Sequence, residues 1–131
     1  MEQSLREMTI LVIDDEPALL HLLERTLSRA GARVLTANCG SDALQILDQE
    51  QVHLLLCDVH LGSNNSCSDL LPQCQSEHPE LKIIVTSGGT DYPENYPFLA
   101  KPYSIRDLIR LALLTVPPCQ PDHQTGVTAG V

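Results

Sequence analysis

The fold of this chain turns on one stretch, Leu11-Val12-Ile13-Asp14-Asp15-Glu16-Pro17. An apolar run stops abruptly on three consecutive acids. Adjacent carboxylates repel one another, and burying any of them is costly, so their place at the end of a core strand needs a reason. The run from Met8 to Ile13 lacks a polar alternation and is expected to be covered on both faces. Pro17 stands where a helix can begin. Leu20, Leu23, Leu27 and Ala30 then follow at the spacing of one helical face, and Gly31 is placed to end the helix.

The alternation of strand and helix continues along the chain. Arg33–Ala37 reads as a second strand. Ser41 can cap a helix running to about Gln49, with Ala43, Leu44 and Leu47 inward. Val52–Cys57 is a third buried strand that also runs into an acid, Asp58. The segment 61–68, LGSNNSCS, is small and polar. A helix is expected after it, to about Glu77, limited by Pro72 because proline is tolerated only near a helix start. Leu81–Thr86 is a fourth strand before Ser87-Gly88-Gly89, and Phe98–Ala100 is a short fifth strand leading into Lys101-Pro102. Ser104-Ile105-Arg106-Asp107 is a capping-box pattern, and Ile105, Leu108, Ile109, Ala112 and Val116 form the inner stripe of the last helix. The expected organisation is one domain over 8–116, with a flexible N-terminus at 1–7 and a disordered tail or truncated linker at 117–131.

Composition narrows the function classes. A length of 131 residues favours a single core. A net charge of -9 argues against nucleic acid or an anionic membrane as the main partner. No apolar run reaches the length of a bilayer span, and MEQSLREM lacks the apolar region of a signal peptide, so a cytoplasmic location is expected. Cys39, Cys57, Cys67, Cys74 and Cys119 form no C-x-x-C and no zinc spacing with the histidines. They read as reduced thiols in and around the core.

A strand–helix alternation implies right-handed crossovers and a parallel sheet with helices on both faces. Ligands of such sheets bind outside the carboxyl ends of the strands. Asp14 and Asp15 follow strand one, Asp58 strand three, Ser87 strand four and Lys101 strand five, all at that same edge. Each has a plainer explanation alone: acids at a helix N-terminus, a turn aspartate, a solvated lysine, a tight Ser-Gly turn. Independent turns, however, have no reason to deliver three carboxylates, a hydroxyl and a lysine together. Two carboxylates about 4 Å apart repel by roughly 4 kcal/mol at an effective dielectric of about 20. A hard divalent cation removes that repulsion, and Mg²⁺ leaves coordination positions for a phosphoryl oxygen. A carboxylate beside it can attack phosphorus, while a lysine and a hydroxyl meet the remaining oxygens. The residues assemble the chemistry of phosphoryl transfer to an aspartate.

With these residues in place, the sequence closely resembles the receiver domain of two-component response regulators over residues 8–116. The matching elements are Asp14-Asp15 after strand one, "LLLCD" ending at Asp58, "TSG" at Thr86-Ser87-Gly88 and "KPY" at Lys101–Tyr103; "TANCGSDALQIL" resembles the family's strand-two to helix-two segment. The resemblance implies a flavodoxin-like, doubly wound, five-stranded parallel sheet of order 2-1-3-4-5. It implies that Asp58 is the phosphoacceptor, with Mg²⁺ or Mn²⁺ held by Asp15, Asp58 and the backbone carbonyl of His60, Asp14 acting often through water. Ser87 matches the switch hydroxyl, with Thr86 its rival. Lys101 matches the phosphate-pairing lysine, Pro102 the proline of a cis bond, and Phe98 the aromatic that changes rotamer on activation. A histidine kinase or histidine phosphotransfer protein would be the donor; the sequence names no output partner. Such a domain is not an enzyme beyond its own phosphorylation and dephosphorylation.

The chain departs from the family in places. Gly62 stands where proline is usual and Ser66 where glycine is usual. Gly88–Pro97, "GGTDYPENYP", carries too many glycines and prolines for an ordinary helix, so the family's fourth helix is expected to be missing or reduced. Two other readings stay open: a receiver-fold interaction module that no longer needs phosphate, and a haloacid-dehalogenase-like phosphatase. The second lacks its Asp-x-Asp-x-Thr/Val pattern after strand one, where this chain has Asp14-Asp15-Glu16-Pro17-Ala18.

Overall fold

The structure, a computed structural model, describes residues 5–59, 67–88 and 95–116. Among the described residues five strands and four helices follow in the order β1 (Thr9–Ile13), α1 (Pro17–Arg29), β2 (Arg33–Ala37), α2 (Gly40–Gln49), β3 (Leu54–Asp58), α3 (Cys67–Glu77), β4 (Lys82–Ser87), β5 (Phe98–Ala100) and α4 (Ile105–Thr115). All strand pairs are parallel, in the order β2-β1-β3-β4-β5. This is the flavodoxin-like order expected from the resemblance.

The two-residue period of the strands sorts the core into two layers. On one side Ile10, Val12, Leu54, Leu56 and Ile84 pack with Leu23 and Leu27 of α1 and Leu108 and Ala112 of α4. On the other, Leu11, Ile13, Leu55, Cys57, Ile83 and Val85 pack with Ala43 and Leu47 of α2 and Leu71 and Cys74 of α3. β1 is buried at every position, as a central strand covered on both faces must be. Cys57 and Cys74 lie inside the core, where burial, aided by Glu77, pushes the Cys74 thiol up to about 11. Among the described residues no helix is long and apolar enough to cross a membrane.

Local chemistry sets several element ends. Pro17 opens α1, and Gly31 takes φ 108 after its end. Ser104 accepts the Asp107 N–H at 3.0 Å, the N-cap half of the capping box. Ser41 does not cap α2. The helix begins at Gly40, with extended Cys39 at the cap, and the Ala43 N–H bonds the Cys39 carbonyl at 3.2 Å. Pro72 limits α3 less than its sequence suggests: it is the sixth of eleven residues. Its missing N–H removes one helical bond without ending the helix.

β4 and β5 are separated by Gly88 and by Asn95–Pro97, none of them helical. The remainder of that expected loop, 89–94, lies outside the described residues, as do His60, Gly62, Ser66 and the tail 117–131.

The N-terminus holds more structure than its composition suggests. Leu5 is 1% exposed and joins the α1/α4 side of the core. Its N–H donates to the Ala30 carbonyl at 2.8 Å, and its carbonyl accepts the Met8 N–H at 3.0 Å. Leu5→Ala should therefore lower stability by about 2–5 kcal/mol in urea unfolding, the range for a buried leucine. The same change at Leu114, 74% exposed, should cost less than about 0.5 kcal/mol. Equal losses at the two positions would contradict a docked Leu5.

Candidate functional site

The site is built by register and parity. The last β1–β3 pair is Ile13↔Cys57, so the next residues, Asp14 and Asp58, leave their strands side by side. Asp14 continues the row of Ile10 and Val12, Asp58 that of Leu54 and Leu56, and Lys101 that of Leu99. All three extend the α1/α4 face beyond the apolar layer. Lys101 Nζ donates to Asp58 Oδ2 at 2.8 Å and lies 3.5 Å from Asp14 Oδ2. Carboxylate oxygens of Asp14, Asp15 and Asp58 all fall within 4.8 Å of one another. Asp14 is 4% exposed and Asp58 9%, while Asp15 faces solvent.

The backbone around the site is pinned. The Asp14 N–H bonds the Ala37 carbonyl at 3.2 Å, and the Val59 N–H the Thr86 carbonyl at 2.8 Å. The Glu16 N–H donates to Asp14 Oδ1 at 3.0 Å, an Asx-type turn that aims the carboxylate. The Lys101 N–H donates to the Ser87 carbonyl at 2.8 Å, and the Lys101–Pro102 peptide is cis.

The two hydroxyls differ in level. Thr86 pairs with Asp58 and Leu99, whereas Ser87 pairs with Ala100, one step nearer the open edge. Both are buried, Ser87 completely. A Cβ at Gly88, the next residue, would meet nothing within 4 Å. Phe98 is half-buried and packs against the α2/α3 side of the core.

An open groove of about 680 Å³ adjoins Lys101. It runs between α1 (Leu19, Leu22, Leu23) and the Pro102-Tyr103-Ile105 segment. The sequence reading, built on one stripe of α1, missed it. The available signal was surplus: α1 carries Leu19 and Leu22 in addition to the leucines its inner face needs. Leu22 is 59% exposed. Glu16, whose N–H fixes Asp14, was also missed, because a backbone donor leaves no side-chain signature.

Electrostatics set the protonation behaviour. Burial of Asp14 raises its pKa above the ordinary 3.8, and Asp58 adds to this; the Glu16 N–H and Lys101 oppose it without cancelling it. Burial acts to lower the pKa of Lys101, but the hydrogen bond to Asp58 and the attraction of Asp14 and Asp58 outweigh it, and the net shift is upward. Lys101 thus contributes stability that is complete below 10.5 and lost as pH rises through its folded value. Asp14 likewise binds its proton more tightly when folded. Its contribution favours folding below 3.8 and fades as pH rises through the folded value, so at neutral pH its ionisation is a net cost. Asp14→Asn, which can still accept from the Glu16 N–H, should raise the urea midpoint at pH 7 and leave it nearly unchanged at pH 3. An equal gain at both values would contradict this account.

Comparison with known proteins identifies the family and the fold. The family model for the response regulator receiver domain matches residues 10–112. A probable transcriptional regulatory protein from Mycobacterium tuberculosis, TcrX, is 30% identical over 92% of this chain and 52% of its own. The chain spans about half or less of the length of the curated relatives it matches. Among solved structures, a CheY-like receiver domain protein from Methanospirillum hungatei gives a TM-score of 0.77 at 23% identity, covering 83% of this chain and 93% of that one. The response regulator TrrA from Thermotoga maritima, solved in complex with Mg²⁺ and BeF, gives 0.74 at 22%, covering 82% and 98%. With the family model covering most of the chain and the strand order matching, the chain belongs to the response regulator receiver domain family, a family of regulatory domains.

Proposed function

We infer that the chain is a phosphoacceptor signalling domain, with Asp58 taking a phosphoryl group from a histidine kinase or histidine phosphotransfer protein. The observation that carries this reading is the Lys101 ammonium 2.8 Å from Asp58, inside a cluster of three carboxylates. That arrangement gives the Asp58 carboxylate a cationic partner and shields most of it from water. An Asp58 oxygen attacks phosphorus, the phosphorus–nitrogen bond of the donor breaks, and the imidazole leaves with the electron pair. Lys101 is placed to turn from Asp58 to a phosphoryl oxygen, offsetting the charge brought in. The new group projects outward from β3, toward the level where Ser87 rather than Thr86 stands, so Ser87 is assigned the switch hydroxyl. Phe98, between that edge and the α2/α3 core, is assigned the responding aromatic.

The donor set fits Mg²⁺ or Mn²⁺: the three carboxylates offer hard oxygens and mutual repulsion for a cation to relieve. Asp15 and Asp58, with Asp14 in support and the His60 carbonyl, would hold it. Bound there, the cation supplies charge neutralisation at the attacked phosphoryl group. A cytoplasmic setting follows from such donors.

Incubation with acetyl phosphate or phosphoramidate and Mg²⁺ should add one acid-stable, base-labile phosphoryl group, and Asp58→Asn should abolish it. Labelling that persists in Asp58→Asn would overturn the assignment. No labelling of the unaltered chain would favour a phosphate-independent interaction module.

The groove beside Lys101 supports a protein donor. Its apolar wall from α1 runs up to the acceptor crevice, where a partner helix carrying the phosphohistidine would lie. Leu22→Glu should slow transfer from a phosphohistidine protein by roughly tenfold or more while leaving acetyl phosphate labelling unchanged. Equal slowing with both donors would show damage to the acceptor site instead.

A further inference from the structure

A second cluster of metal-ligating side chains lies away from the acceptor aspartate. Asp48 is in the last turn of α2, Glu77 ends α3 and His78 follows it. Ligand atoms of the three all fall within 4.8 Å of one another. A groove of about 390 Å³ there is lined by Glu77 and His78 together with His53 and Lys82, which stand at the starts of β3 and β4. The cluster therefore occupies the opposite edge of the sheet from Asp58.

The imidazole is the informative group. His78 Nε2 is shielded from solvent and has no hydrogen-bond partner. It lies 3.5 Å from Asp48 Oδ1, close enough for charge attraction but without the geometry of a hydrogen bond. A buried nitrogen left in this way is unfavourable. In the neutral ring with its proton on Nδ1, Nε2 and the carboxylate oxygen 3.5 Å away are both electron-rich and have no proton between them. A cation between them uses both as ligands.

The surroundings favour positive charge independently. α2 and α3 both end here, and neither has a basic residue in its last turn to meet the negative end of the helix dipole. The ligands are also held in place. Gln73 Nε2 donates to Glu77 Oε2 at 3.2 Å. The His78 N–H bonds the Cys74 carbonyl at 2.8 Å, and its carbonyl accepts the Leu81 N–H at 3.0 Å.

We propose that Asp48, Glu77 and His78 form a binding site for a divalent transition cation of the Zn²⁺ class, which ties the ends of α2 and α3 together. One imidazole nitrogen and two carboxylates make a mixed nitrogen–oxygen set, which suits Zn²⁺ and its neighbours rather than Mg²⁺ or Ca²⁺. Three protein ligands leave a position for water. The site is independent of the chemistry at Asp58.

The test is calorimetric titration of the full chain, under reducing conditions, with ZnCl₂. With excess Mg²⁺ present to occupy the Asp14–Asp15–Asp58 cluster, one Zn²⁺ should bind, with the His78 ring signals shifting in NMR. His78→Ala and Asp48→Asn should each weaken binding by roughly tenfold or more, the expected result of losing one of three ligands. Asp15→Asn and Cys39→Ser, which remove an acceptor-site acid and a partly exposed thiol, should leave it intact. Circular dichroism should show both cluster variants folded. If His78→Ala were unfolded, the exposed Asp48 position would decide alone. Absence of binding, or binding that survives His78→Ala or Asp48→Asn, would overturn the proposal.

Discussion

The ammonium of Lys101, 2.8 Å from Asp58 and 3.5 Å from Asp14, is the contact on which the carboxyl edge of the sheet depends. Three carboxylates gather there at the end of an apolar core. Without a cation, each would raise the energy of the others. Lys101 relieves part of this, as its upward pKa shift records, while Asp14 remains strained toward protonation. The edge is therefore held in a state that added cations stabilise. That is the physical basis for reading it as a site for a divalent cation and a phosphoryl group.

Everything beneath that edge serves to aim those groups. Parallel pairing puts Asp14 and Asp58 at one level, and the strand period puts both on the α1/α4 face with Lys101. A slip of one residue in any of these strands would turn its functional side chain to the other face. The apolar rows of Ile10, Val12, Leu54 and Leu56 thus fix the register of the chemistry as well as the core. β5 is short and lies at the edge of the sheet, yet the contact that follows it, the Lys101 N–H on the Ser87 carbonyl, ties the lysine to the backbone at the end of β4.

The two edges of the sheet solve the same problem differently. At the carboxyl ends of the strands, acids face a half-buried lysine. At the opposite edge, acids and a half-buried imidazole with one shielded nitrogen lie at two helix C-termini that carry no basic residue in their last turns. The first arrangement is half compensated from within the chain. In the second, the His78 nitrogen is left unbonded among the described residues, which is what distinguishes it from an ordinary solvated acidic patch.

The order of residues alone was enough for the layered fold and for the gathering of Asp14, Asp58 and Lys101 at one edge of the sheet. Strands buried on both faces carry unbroken apolar runs, and acids or a lysine directly after such runs must gather at one edge once the strands are parallel. Asp14, Asp58 and Lys101 were legible for that reason, and the resemblance to receiver domains rested on the same residues. What sequence reading placed wrongly was local. Ser41 reads as a cap, but the chain turns into α2 at Cys39; Pro72 reads as a boundary, but packing against the core carries α3 past it. Only the tertiary structure decided the docking of Leu5, the groove beside Leu22, the backbone donor of Glu16 and the meeting of Asp48 with Glu77 and His78. These depend on contacts between segments distant in sequence or on backbone groups common to every residue. Neither leaves a periodicity or a motif in the order of side chains.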